Sequence, residues 1–134
     1  ISLNSNLKEK KLSGLFIKPV DGLITEKFNK KIGHFGIDVV SKKGAFISSI
    51  DDGMVLFSSW THEFGHVLVI KHQNSFISFY KHNSEVFKSK GDYVKSGETI
   101  AIIGNSGKYS TGPHLHFELW KGSSPVNPVN YILF

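Results

Sequence analysis

The chain has no cysteine and no arginine among its 134 residues. Without cysteine there is no disulfide, no catalytic thiol and no thiolate metal ligand, so any metal must be held by His, Asp or Glu. Without arginine, the sixteen cations are all lysines, and they are spread along the chain. Nucleic-acid binders concentrate positive charge and favour arginine for bidentate contacts, so no nucleic-acid partner is expected. No apolar run approaches about 18 residues, so no segment is expected to span a membrane as a helix. No long segment carries a helical hydrophobic period, which argues against a helical bundle.

What the sequence does have is glycine, thirteen in all, and short apolar runs set off by turn signals. This composition predicts an all-β domain, an antiparallel sheet folded into a sandwich- or barrel-like body. Residues 1–14 are polar and lysine-rich and read as a linker or arm; residues 15–134 read as the domain. The chain opens on Ile1 rather than Met and so reads as a mature or trimmed piece. Strands are predicted at 15–17, 23–25, 37–40, 45–50, 53–59, 66–72, 75–81, 99–103 and 114–120. Gln73-Asn74 reads as a hairpin turn between two of them. A faint repeat is visible: Gly44-x-x-Ile47-x-x-Ile50 recurs as Gly97-x-x-Ile100-x-x-Ile103.

Three stretches carry candidate chemistry. In His114-Leu115-His116-Phe117-Glu118-Leu119, strand alternation puts the three apolar residues on one face and His114, His116 and Glu118 on the other. In His34-Phe35-Gly36-Ile37-Asp38, the ends of an extended segment lie about 13 Å apart, too far to share an ion. A helix is disfavoured by Gly36, Ile37, Val39 and Val40. That leaves a bend across Gly33–Gly36, or a surface histidine beside a turn with Asp38 as a cap. In Phe79-Tyr80-Lys81-His82, alternation places Tyr80 and His82 on one face, and Phe79 and Lys81 on the other. His62, His66 and His72 read as structural or solvated, with His72 bonding backbone beside the hairpin.

HFGID, FYKHN and GNSGKYSTGPHLHFEL together resemble the signature of the M23 zinc metallopeptidases, the LytM/lysostaphin-type peptidoglycan endopeptidases. Further ordered blocks agree from about Leu15 to the C-terminus. The resemblance implies a LytM-type fold, one Zn2+ held by His34, Asp38 and His116, and catalytic histidines at His82 and His114. It assigns His114 to orienting or deprotonating the water, and His82 to stabilising the oxyanion or donating a proton, with the reverse order open. Glu118 is expected to orient an imidazole.

The segments Phe28–Gly33, Trp60–Phe64, Asn83–Ser89 and Lys108–Gly112 are expected to wall the groove. The implied substrate is the peptide of bacterial peptidoglycan, which places the protein outside the cytoplasm, in the periplasm or envelope or secreted. Lys81 and Asn83 depart from the family's usual Y-A-H-L. An alternative implied by the same resemblance is a catalytically silent module that activates a cell-wall amidase.

Overall fold

Alternation of buried and solvent-facing side chains makes nearly every ordered segment a strand. The structure, a computed structural model, describes residues 15–104 and 112–134. The arm expected over 1–14, and the wall expected over 108–111, lie outside the described residues. The strands are β1 (Leu23–Glu26), β2 (Ile37–Val40), β3 (Phe46–Ser48), β4 (Gly53–Thr61), β5 (Gly65–Lys71), β6 (Phe76–Val86), β7 (Tyr93–Val94), β8 (Thr99–Ile103), β9 (His114–Lys121) and β10 (Ser124–Val126). They form one antiparallel network ordered β1-β2-β9-β6-β5-β4-β7, with β10 on β9, and β8 joining β3 to β6. No helix among the described residues is long and apolar enough to cross a membrane.

The core is the inner face of this curved sheet. Val39, Ile47, Leu68, Ile70, Tyr80, Ile100, Leu115, Phe117 and Leu119 are fully buried and form one cluster. Removing such side chains from water is the main stabilising term, about 25 cal/mol per Å2 of apolar surface. The faint repeat has a spatial counterpart. β3 and β8 lie antiparallel side by side, with Ile47 opposite Ala101. Gly44 and Gly97 both adopt left-handed backbone, and Ile47, Ile50, Ile100 and Ile103 are all buried.

The structure departs from the predicted elements in several places, among them β7 and β10, where no strand was predicted. Segment 15–17 forms only a single bridge, Phe16 to Ile132. The strand predicted over 45–50 is confined to Phe46–Ser48. The hairpin turn is displaced by one residue, with Asn74 and Ser75 in left-handed backbone at its centre. β6 continues to Val86, so Asn83–Val86 is strand rather than groove-wall loop, and Asn83 is buried.

The alternation predicted for Tyr80 and His82 fails for a local reason. Tyr80 pairs with Leu68 and Asn83 with His66, so Lys81 and His82 together oppose Val67 alone. This is a β-bulge, and His82 takes φ 68°. Tyr80 and Asn83 face the core, while Lys81 and His82 both face the groove.

Candidate metal centre

Asp38 and His116 are brought together by strand register. β2 and β9 pair antiparallel with Asp38 directly opposite His116, and Val39 opposite Leu115. Residues opposite one another share a face, so burying Val39 and Leu115 commits Asp38 and His116 to the groove side. Their Oδ1 and Nδ1 atoms are 2.7 Å apart. The close approach of β2 to β9 requires glycine at 36, since a Cβ there would lie 2.3 Å from the Phe117 carbonyl oxygen.

His34 arrives from outside the sheet. A 3-10 turn at Lys30–Ile32, capped by Asn29, ends at Gly33 in left-handed backbone and returns the chain toward β2. His34 Nδ1 donates to the Lys27 carbonyl at 2.7 Å, because a carbonyl can only accept. That bond leaves the Nε2 lone pair facing Asp38 Oδ2, 3.6 Å away. The bend expected across Gly33–Gly36 is therefore present. Donor atoms of His34, Asp38 and His116 all lie within 4.8 Å of one another, so the three can hold one ion.

Surrounding groups set the tautomer at His116 as well. Its Nε2 contacts Glu118 Oε2 at 2.8 Å, leaving Nδ1 for Asp38 or for a metal. Glu118 is itself fixed by the Trp120 indole N–H at 2.9 Å and by the Lys81 ammonium at 3.2 Å. Glu118 thus orients an imidazole, as anticipated. Trp120 is two residues on along the same face and was legible by alternation; Lys81 reaches the groove only through the bulge.

Electrostatics follow from these contacts. Burial pulls the His116 imidazole down, but hydrogen bonds to Asp38 and Glu118 outweigh it and push its pKa up to about 9. Burial would raise Glu118, yet His116, Trp120 and Lys81 bring it to about 2. Asp38, also opposed by burial, is held below the usual carboxylate value by His116, Glu26 and His34. The extra proton on this carboxylate-flanked imidazole is what a divalent cation would displace, since metal ligation needs the neutral ring.

His82 and His114 stand beside this cluster. Their ring centroids are 5.5 Å apart, and His82 is 6.4 Å from His116. Burial first, then the neighbouring His114 and His116, lower the His82 pKa. His82 is thereby biased to the neutral form near pH 7. The cleft above has a volume of about 300 Å3 and is walled by Phe35, Phe64 and Lys81. Of the expected walls, Phe28–Gly33 contributes Gly33 and the Trp60–Phe64 hairpin contributes Phe64. Glu26, which no motif flagged, also reaches the site: its Oε2 lies 3.9 Å from His34 Nε2.

His72 lies in the core, away from this cluster. Its Nδ1 donates to the Asp52 carbonyl at 2.7 Å, and its Nε2 is 2.7 Å from Ser78 Oγ. It bonds the backbone, as its place beside the hairpin suggested, and of the structural and solvated alternatives it is the structural one, being buried.

Comparison with known proteins gives a consistent result. The profile of peptidase family M23 matches residues 32–128. The chain is 37% identical over 117 residues to the murein hydrolase activator NlpD of Salmonella typhimurium, covering 85% of this chain and 30% of NlpD. It is 36% identical over 100 residues to the DD-carboxypeptidase/endopeptidase Mpg of Neisseria meningitidis, covering 75% of this chain and 23% of Mpg. A zinc-containing peptidase from Vibrio cholerae superposes with a TM-score of 0.75 at 35% identity, covering 84% of this chain and 38% of that one. The chain spans about a third or less of the curated relatives it matches.

Proposed function

The chain belongs to peptidase family M23, and from that premise we propose that it is a zinc-dependent endopeptidase hydrolysing peptide bonds in bacterial peptidoglycan. The observation that carries this reading is the convergence of His34, Asp38 and His116, two of them with tautomers set by Lys27 and Glu118. Three protein ligands with nitrogen and oxygen donors are the pattern of catalytic zinc. Bound zinc supplies a Lewis acid and lowers the pKa of a water from 15.7 toward 7.

The chain's own groups serve the rest of the reaction. His82, biased to the neutral form, and His114 lie side by side next to the metal ligands, where one accepts a proton from the attacking water. The other stabilises the developing oxyanion or returns a proton to the leaving amine. Phe35 and Phe64 provide apolar walls for an extended peptide. Peptidoglycan lies outside the cytoplasm, so the proposal places the protein in the envelope or secreted.

The test is digestion of purified peptidoglycan by zinc-loaded protein, with mass analysis of the products. His116→Ala should lose both zinc and cleavage. His114→Ala should keep zinc and lose cleavage; parental turnover by that variant would overturn the division of roles.

A second reading rests on the 37% identity to a murein hydrolase activator. There the domain would bind and stimulate a cell-wall amidase without turning over substrate. Retention of His34, Asp38, His82, His114 and His116 favours the first reading. A protein that takes up no zinc, leaves peptidoglycan intact and accelerates a purified amidase would favour the second.

A further inference from the structure

Lys81 replaces the alanine usual in the family's Y-A-H-L, and the metal centre gives its charge only one task, pairing with Glu118. β6 and β9 pair with Lys81 directly opposite His116, and β2 and β9 pair with Asp38 opposite the same histidine on its other side. Residues opposite one another share a face. One row across the sheet therefore runs Asp38, His116, Lys81: two candidate metal ligands, then a cation.

The ammonium is held in place. Its Nζ lies 3.2 Å from Glu118 Oε2 and 4.2 Å from the centre of the Phe64 ring, and the side chain is only 16% exposed. A lysine tethered at two points loses little further freedom when a ligand arrives. An ammonium has three N–H donors. Among the described residues, one of them is used, by Glu118. Glu118 also contacts the Trp120 indole N–H and His116 Nε2, so its orientation does not depend on Lys81 alone. Lys81 lines the cleft beside His34, His82 and His116, so its other donors can reach what fills that cleft.

The reach can be bounded. Glu118 Oε2 touches both Lys81 Nζ and, at 2.8 Å, His116 Nε2, so the ammonium stands two short contacts from a metal-ligating ring. An extended peptide advances about 3.3 Å per residue. Resting on the endopeptidase reading above, we propose that Lys81 is a specificity-determining residue that binds a carboxylate of the substrate peptide within about two residues of the scissile bond. The substrate class is then an acidic peptide, and the same peptide amidated at that position is a poorer substrate. An ammonium–carboxylate hydrogen bond is roughly twice as strong as a neutral one.

The test compares initial cleavage of purified peptidoglycan, untreated or with its carboxylates converted to amides by carbodiimide and ammonia. Each protein is scored by the ratio of the two rates. Because both rates come from one protein, a change in zinc occupancy or folded fraction cancels. Wild type should favour the untreated material by about fivefold or more. Lys81→Met should lose most of that preference, and so should Lys81→Gln, which keeps a hydrogen bond to Glu118 without the charge. Lys90→Met removes the same charge from an exposed turn and should keep the wild-type ratio. Wild type that cleaves both materials equally would overturn the role of Lys81 alone. So would Lys81 variants that keep the preference, or a Lys90 variant that loses as much of it as they do. Wild type that leaves both materials intact would overturn the endopeptidase reading, and this proposal with it.

Discussion

Tyr80 and His82 are two residues apart on β6, yet Tyr80 is fully buried in the core and His82 opens onto the groove. Only the left-handed backbone at His82 makes this possible, and that conformation costs a non-glycine residue of order 1–3 kcal/mol. Three contacts hold it. The His82 N–H donates to the Phe64 carbonyl at 2.9 Å. The Asn83 side-chain amide donates to both the Tyr80 and the His66 carbonyls, at 2.9 and 3.0 Å. Gly104 packs behind the bulge. Asn83, which departs from the usual family pattern, thus clamps the bulge.

Gly104 gives the sharpest test of that clamp. A Cβ at this position would lie 1.6 Å from the His82 carbonyl oxygen, so Gly104→Ala must displace β6 or the bridge from Gly104 to His114. Unfolding in urea should show a loss of about 3 kcal/mol. Any protein that still folds should keep its zinc and lose turnover, because His82 and His114 move while Asp38 and His116 do not.

Much of the site was legible because it follows strand alternation. The His114-His116-Glu118 face needed only a period of two, and register then carried Asp38 to His116. The bend at His34 was legible from its flanking glycines. What the sequence could not show was where alternation stops. The bulge at His82 inserts one residue, as does one at Thr25, which the pairing of β1 with β2 skips between Ile24 and Glu26, and nothing in YKHN or ITEK marks them. They exist because neighbouring strands fix the register on both sides. For the same reason Lys81 read as facing away from the groove, and Glu26 did not register as a site residue. Segment 15–17 has strand-like residues, but its backbone bonds go to two different places, Phe16 N–H to the Tyr131 carbonyl and Ile17 N–H to the Ile50 carbonyl, so no ladder forms beyond the bridge to Ile132.

His72 sets an acid limit on stability. Burial is the main cause lowering its pKa, opposed by its bond to the Asp52 carbonyl and by Asp51 and Asp52. The unfolded chain takes up this proton near pH 6.5, whereas the native state resists it. The stabilising contribution is therefore complete above about pH 6.5 and is lost as pH falls through the lower native value. Urea midpoints measured between pH 7.5 and 5 (a range chosen to bracket about 6.5) should decline on the acid side. His72→Gln should start lower by roughly 1–2 kcal/mol, having disturbed the Ser78 and Asp52 contacts, and show a flatter pH profile.

Gly36→Ala probes the spacing of β2 and β9. The added methyl would meet the Phe117 carbonyl at 2.3 Å and His116 Nε2 at 3.1 Å. The strands must separate locally, which pulls Asp38 away from His116. Zinc affinity by chelator competition should fall by about tenfold or more. The far-UV circular dichroism should be unchanged, since the other pairings of β9, with β6 and β10, do not involve this contact.

Glu118 and Lys81 form an ion pair in which the side chains are only 11% and 16% exposed. Removing one member of such a pair strands the other charge, whereas replacing both with apolar groups is often neutral. Glu118→Gln should therefore do two separable things. It weakens the acceptor that fixes His116, raising the zinc dissociation constant by about 10–100-fold. It also removes the carboxylate that pairs with the Lys81 ammonium beside the metal ligands, leaving that charge against the Phe64 ring 4.2 Å away. The double variant Glu118→Gln, Lys81→Met removes that stranded charge and should be more stable to urea than Glu118→Gln alone, while its zinc affinity stays below wild type. Equal stability of the two variants would mean that Lys81 finds solvent once Glu118 is neutral, and that the pair contributes orientation of His116 rather than charge compensation.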